Sequence, residues 1–187
     1  MPFELLPTLQ GELLRLRPLR EDDFGALLAA ASDPLIWEQH PQSDRWREPV
    51  FRKYFESGIA SGGALLATDL ATGAVIGSSR YHALDEAASE VEVGYSFLAR
   101  PYWGGVYNGE MKRLMLRHAF RFVKTVVLRV GPTNFRSQRA VEKIGGVRAG
   151  MGIDAAGREC VVFHVTSDQR ERPTQPPAHG QPCAQIL

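Results

Sequence analysis

Hydrophobic and polar positions alternate through 11–20 (GELLRLRPLR), which predicts a first strand. Glu21, Asp22 and Asp23 then place acidic residues at the start of a helix through FGALLAAAS. DPLIWEQHPQSD reads as a loop. Residues 44–63 (DRWREPVFRKYFESGIASGG) read as a second helix closed by glycines, with Pro49 either in its first turn or at a kink. Three strands follow: ALLATDL, AVIGSSRYHAL and EVEVGYSFLA. The first two flank the hairpin turn Ala71-Thr72-Gly73, and a short acidic loop around Asp85 and Glu86 leads to the third. Met111, Leu114, Met115, His118, Ala119 and Phe122 recur at helical spacing and predict a third helix ending near Lys124. TVVLRV is a buried strand broken by Gly131-Pro132. Asn134 can cap a fourth helix through RSQRAVEKI, which Gly145-Gly146 closes, and GVRAGMGI and ECVVFHVT are the last two strands.

This order of elements predicts an α/β (α+β) fold, a single mixed and mainly antiparallel sheet of six to seven strands flanked by about four helices. At 187 residues and 44% hydrophobic content, the chain is long enough to bury one core, assigned to residues 1–168. Residues 169–187 are polar and Pro-rich and are expected to form a disordered tail. MPFELLPTLQ lacks the basic and apolar regions of a secretion signal, and no run approaches the roughly 18 apolar residues of a membrane span, so a cytoplasmic protein without a membrane partner is expected. Cys160 lies in a strand and Cys183 in the tail, which indicates neither a disulfide framework nor a metal cluster.

A net charge of +1 conceals an asymmetry. Residues 100–148 carry eleven Lys/Arg against Glu110 and Glu142 alone, a net of +9, and the remainder carries −8. The basic half is either a set of solvated helix faces or a surface that meets an anion. At its start, RPYWGGVYNGEM joins a strand to a helix with Gly104 and Gly105 side by side. Two readings stand: a tight turn, or a backbone cradle in which the unpaired N–H groups of the helix start receive an anion.

Three segments in this order resemble the GCN5-related N-acetyltransferase (GNAT) family, most closely its ribosomal-protein N-terminal acetyltransferase (RimJ/RimL-like) branch. They are Glu92-Val93-Gly94-Tyr95, Tyr102-Trp103-Gly104-Gly105-Val106-Tyr107, and Asn134-Phe135-Arg136-Ser137 with 142–147 (EKIGGV). The resemblance covers roughly residues 11–166. It implies a V-shaped opening between the central strands, acetyl-CoA as cosubstrate, and direct transfer of an acetyl group to a primary amine in a ternary complex. The acceptor would be a small molecule or a protein N-terminus, and a homodimer is left open.

The resemblance also implies site residues. The backbone of Phe97 and Leu98 would polarise the thioester carbonyl. Trp103, Gly104, Gly105, Val106, Tyr107, Asn108, Asn134 and Ser137 would hold coenzyme A, with Arg100, Arg136 and Arg139 as phosphate contacts. Glu92 is the proposed base, directly or through water; Glu90, on the same strand face, is the weaker candidate and is placed with the substrate. Ser137 is the proposed acid, with Tyr107 as a substitute, and Trp37 and His40 are candidates to line the acceptor pocket. Each has a plain alternative: a salt bridge for Glu92, local backbone bonding for Ser137, packing for Trp37 and His40. The family loop usually reads Gly-x-Gly or Gly-x-Ala, whereas Val106 stands where the second small residue belongs. Either Gly105 replaces it by a shift of one, or Val106 offers its backbone N–H with its side chain turned away.

Other chemistries lack support in the sequence. Residues 150–155 (GMGIDA) imitate a dinucleotide fingerprint but precede a turn and a strand where a helix is required. No Gly-x-Ser-x-Gly, Walker-type Lys or close His/Cys/Asp constellation occurs, so no metal is assigned. His82, His118 and His164 read as structural. The competing functions are a catalytically weak or inactive module of the same fold that binds coenzyme A or another anion, and nucleic-acid binding through residues 100–148, although near-neutral overall charge argues against nucleic acid as a partner.

Overall fold

The structure, a computed structural model, describes residues 2–167; the tail expected over 169–187 lies outside the described residues. Eight strands form one sheet: β1 (Leu9–Gln10), β2 (Leu14–Pro18), β3 (Ala64–Asp69), β4 (Val75–Asp85), β5 (Glu90–Leu98), β6 (Thr125–Val130), β7 (Val147–Ile153) and β8 (Glu159–Thr166). Four α-helices accompany them: α1 (Phe24–Ala31), α2 (Glu48–Ala60), α3 (Val106–Ala119) and α4 (Phe135–Lys143). The sheet order is β1-β2-β3-β4-β5-β6-β8-β7. Every pair is antiparallel except β5 with β6, which the α3 crossover makes parallel. The strand beyond the six to seven expected is β1, two residues too short to show alternation.

Sequence dictates these elements through burial. Leu14 and Leu16 alternate with exposed arginine in β2, whereas β3 is buried on both faces because helices cover both sides of the sheet. Leu65, Ala67, Tyr81, Val91 and Val93 meet Met111, Met115 and Leu116 of α3 in one core. Leu66 and Phe97 meet Leu27 and Ala31 of α1 and Phe51, Tyr54 and Phe55 of α2 in the other. Buried Tyr81 keeps its hydroxyl satisfied by donating to the Met115 carbonyl at 2.7 Å, which fixes α3 against β4. Pro49 lies in the first turn of α2, where its missing N–H costs nothing. No helix among the described residues is long and apolar enough to cross a membrane.

Two irregularities of β5 make room for a site. It pairs with β6 only from Glu90–Thr125 to Glu92–Val127, while β6 continues along β8 as far as Val130, so the two parallel strands part after Glu92. On its other side, the register with β4 passes from Ser78–Phe97 to Arg80–Gly94, which leaves one extra residue on β5. Tyr95 in this bulge has φ of 51°, a left-handed conformation costing an aromatic residue roughly 1–2 kcal/mol. Tyr54 donates its hydroxyl to the Tyr95 carbonyl at 2.6 Å and secures the bulge to α2.

Candidate active site

Two concavities meet where β5 and β6 part. The larger, a cleft of about 900 Å³, runs from Phe97 and Leu98 past Trp103, Gly104 and Gly105 to Arg113, Arg136, Arg139 and Lys143. The smaller, about 220 Å³, is lined by Arg45, His82, Glu92, Tyr95, Lys112 and Arg129. Ser96, Asn108, Asn134 and Ser137 line both and mark the junction.

The floor of the large cleft is the start of α3. Gly104 and Gly105 have φ of 103° and 118°, which L side chains rarely adopt. The first helical bond runs from the Gly109 N–H to the Gly105 carbonyl, so the amides of Val106, Tyr107 and Asn108 have no acceptor in the preceding turn. Val106 turns its side chain outward, 65% exposed. Those amides, the helix dipole and the arginines opposite suit an anionic group such as the pyrophosphate of coenzyme A. Trp103 forms a wall: its indole N–H donates to the Leu98 carbonyl at 2.8 Å, and the Arg136 guanidinium lies 4.2 Å over its ring.

Facing it is α4. Asn134 caps this helix, its side-chain oxygen accepting from the Ser137 N–H at 3.1 Å. That bond employs the backbone amide of Ser137 and not its hydroxyl, and Ser137 lines both concavities.

In the small cavity Glu92 lies between His82 and Arg129. Its carboxylate lies 3.3 Å from His82 Nε2 and 3.3 Å from Arg129 Nε. His82 Nε2 is buried and off-axis for a hydrogen bond to that oxygen. His82 stands directly across from Glu92 in the β4–β5 register, so the histidine read as structural belongs to the site. Only the pairing of strands, invisible in a linear chain, reveals it.

Lys112 carries no local signal that singles it out in the sequence. It reaches from α3 to the bulge, where its ammonium nitrogen contacts Ser96 Oγ and lies 3.4 Å from Ser79 Oγ. Burial pushes it down to about 7 from its ordinary 10.5. The unfolded chain therefore binds more protons than the folded one between pH 7 and 10.5, and stability rises with pH across that window. Lys112→Met is expected to be more stable than the parent near pH 6, with the difference shrinking toward pH 10.5 in denaturant titrations. A difference independent of pH would show that Lys112 is not desolvated.

His40 lines both concavities. Burial, then the charges of Arg45 and Arg158, push it down to about 3, so its ring is neutral. Trp37 is a wall of the large cleft and is also fixed as core, donating its indole N–H to the Ala31 carbonyl at 2.8 Å and packing on Phe97.

Other sequence-predicted residues lie apart. Tyr107 donates its hydroxyl to Asp69 Oδ1 at 2.9 Å, which raises it above the ordinary tyrosine range, and it lines neither concavity. The structure thus does not bring this substitute acid beside Ser137. Arg100 is ion-paired with Asp33 and lines neither concavity, and Glu90 also lies outside both. Phe97 and Leu98 are buried side chains, and their backbone forms part of the cleft wall. The basic segment does not form one face: Arg100, Arg129 and Arg136 pair with acids from elsewhere, and Lys112 is buried.

Residues 14–147 match the family model of the acetyltransferase (GNAT) domain. The chain belongs to the GNAT acetyltransferase family. This family uses acetyl-CoA, and the four helices with a mixed, mostly antiparallel sheet in which β5 and β6 run parallel are the GNAT fold. A GCN5-related N-acetyltransferase from Brucella melitensis has a similar structure, with a TM-score of 0.77 at 19% identity over 90% of this chain and 82% of its own. A T. thermophilus protein assigned to the acetyltransferases gives 0.70 at 29% identity, over 90% and 92%. Mycobacterium smegmatis RimJ, solved in complex with CoA-disulfide, gives 0.66 at 18% identity, over 89% and 90%. Comparison with curated proteins yields no match.

Proposed function

We propose that this GNAT enzyme transfers the acetyl group of acetyl-CoA directly to a primary amine at the junction of the two concavities, with Glu92 as base and Ser137 as acid. What carries this reading is the meeting of an anion-suited cleft and a carboxylate-bearing cavity at one point, shared by Ser96, Asn108, Asn134 and Ser137. Acetyl-CoA supplies an activated thioester. The residues bind, orient and move protons around it.

The amides at the start of α3, with Arg139 and Arg136, hold the pyrophosphate, and Trp103 and Asn134 border the arm. Backbone of Phe97 and Leu98, on the part of β5 that has left β6, faces the carbonyl. Glu92 takes one proton from the incoming ammonium, directly or through water, and passes it to solvent. The nitrogen forms a bond to the acetyl carbon as the carbon–sulfur bond breaks. Ser137 gives its hydroxyl proton to the departing sulfur, and the nitrogen's second proton passes, directly or through water, to the Ser137 oxygen and restores the hydroxyl. Arg129 and His82, each 3.3 Å from its carboxylate, hold Glu92 in place beside the cavity.

GNAT enzymes act on amines, and the ribosomal branch, to which RimJ belongs, makes a protein N-terminus one acceptor class alongside small amines. The reading of a non-catalytic module loses its motive, because the Val106 side chain is exposed and its amide is at the helix start.

Ser137→Ala is expected to lower kcat by about 100-fold or more, since a positioned acid contributes on that scale. Thiol release in a screen of amines measures it, and calorimetry should find acetyl-CoA binding unchanged. Unchanged turnover would remove Ser137 from the chemistry.

A further inference from the structure

Arg45 precedes α2 and is almost wholly buried, 5% exposed, yet no carboxylate among the described residues pairs with it. Its guanidinium carbon lies 5.1 Å from the centre of the Trp37 ring and 4.8 Å from that of Tyr54, and Arg45 lines the small cavity. One good acceptor reaches it: Gln42 Oε1, 2.9 Å from Nη2. Nε has no partner at all among the described residues. Nη1 lies 3.3 Å from His40 Nε2, but that contact is not a bond. His40 Nδ1 accepts the Gln42 N–H at 2.9 Å, so the neutral ring carries its proton on Nε2, and two donors face each other.

Two donors 3.3 Å apart, one on buried Arg45 and one on half-buried His40, call for a shared acceptor. Stacking on aromatic rings offsets part of the cost of burying a guanidinium, but it does not satisfy in-plane N–H groups. Of the other cations lining this cavity, Arg129 meets Glu92, Arg158 meets Asp154 at 2.8 Å, and Lys112 is held by the hydroxyls of Ser79 and Ser96. The Arg45 guanidinium is left without a carboxylate among the described residues, and a planar carboxylate matches the geometry of its in-plane N–H groups.

We propose that the acceptor is an amine that also carries a carboxylate, an amino acid or a close relative, whose carboxylate oxygen sits between Arg45 and His40 while its nitrogen lies at Glu92. This rests on the acetyl-transfer reading for the nitrogen end, and adds to it the recognition of the other end. Arg45 is a specificity residue: it tells an acid from an amide and takes no part in proton movement. A site built to pair a charge rejects the isostere that lacks it, because the donors are then left buried and unsatisfied.

The test uses the full chain with coenzyme A bound, titrated with N-acetylglycine and with N-acetylglycinamide, which differ only at the carboxylate. The carboxylate should bind at least about tenfold more tightly than the amide in calorimetry, as expected for a charge-assisted pair. Arg45→Gln should abolish that difference. Arg45→Lys, which keeps the charge and perturbs the packing less, should retain part of it. Circular dichroism and coenzyme A affinity report whether each variant is folded. Equal binding of the two probes to the parent, or no binding of the carboxylate, overturns the proposal. Failure of the acetyl-transfer reading is separate, since it shows as absent thiol release with every amine while the probes still discriminate.

Discussion

Glu92→Gln lowers kcat by at least about 100-fold, the scale on which a positioned base contributes, while acetyl-CoA affinity stays the same. Gln keeps the size of the side chain and can still touch His82 and Arg129, which lie 3.3 Å from the carboxylate in the parent. What it loses is the ability to take a proton. The variant must wait for acceptor that arrives already neutral, so its rate climbs about tenfold per pH unit below the acceptor's own pKa, by simple mass action on the free amine. The parent is less steep, because Glu92 collects the proton in place. The pH–rate profiles of the two proteins, measured with one amine, check both statements. Equal rates at neutral pH would reduce Glu92 to a structural partner of Arg129.

Glu110→Ala destabilises the fold by about 3–5 kcal/mol, because several backbone donors lose their acceptor at once. Glu110 is 7% exposed on α3 and accepts the N–H groups of Glu12, Leu13 and Leu14, each at 2.9 Å. It is therefore the clamp between the start of β2 and the helix whose first turn faces the cofactor cleft. Space for it exists only because residue 11 is glycine; a Cβ there would stand 2.4 Å from the Glu110 carboxyl carbon. Burial pushes its acidity one way and the three N–H groups push harder the other way, so its pKa lies below the ordinary 4.5. A group with a depressed folded pKa contributes above the unfolded value and loses that contribution as pH falls through the folded one. The advantage of the parent over Glu110→Ala is then full at neutral pH and shrinks below pH 4.5. Urea titrations at several pH values measure it; a gap that widens toward acid would contradict the assignment.

Much of this architecture is legible along the chain. TVVLRV coincides with β6, and the acidic residues after β2 and the proline of α2 mark helix starts because capping and first-turn chemistry are local. The glycine pair is legible for the same reason, since positive φ at consecutive positions is a local demand. Long-range pairing is not. His82 joins Glu92 through strand register, and the bulge at Tyr95 exists only as a mismatch between β4 and β5. Arg45 sits in a stretch that reads as the exposed first turn of a helix, but α2 begins at Glu48, and the arginine folds under Trp37 and Tyr54 instead. Glu110 looks like one of only two acids in a basic segment, and nothing local announces three amides waiting on another strand. Tyr107 shows the converse: its place in the loop pattern is local, whereas the direction of its hydroxyl is set by Asp69 at the end of β3.

Every step proposed for the chemistry depends on acetyl-CoA lying in the cleft at the start of α3. Calorimetric titration of acetyl-CoA into the parent and into Gly104→Val/Gly105→Val tests this directly, because valine cannot adopt the positive φ that aims this loop. Stoichiometric binding to the parent is expected, with affinity weakened by at least about tenfold in the folded variant, the loss that follows when helix-start amides no longer converge on an anion. Absence of binding to the parent, or equal affinity in the two proteins, would contradict it.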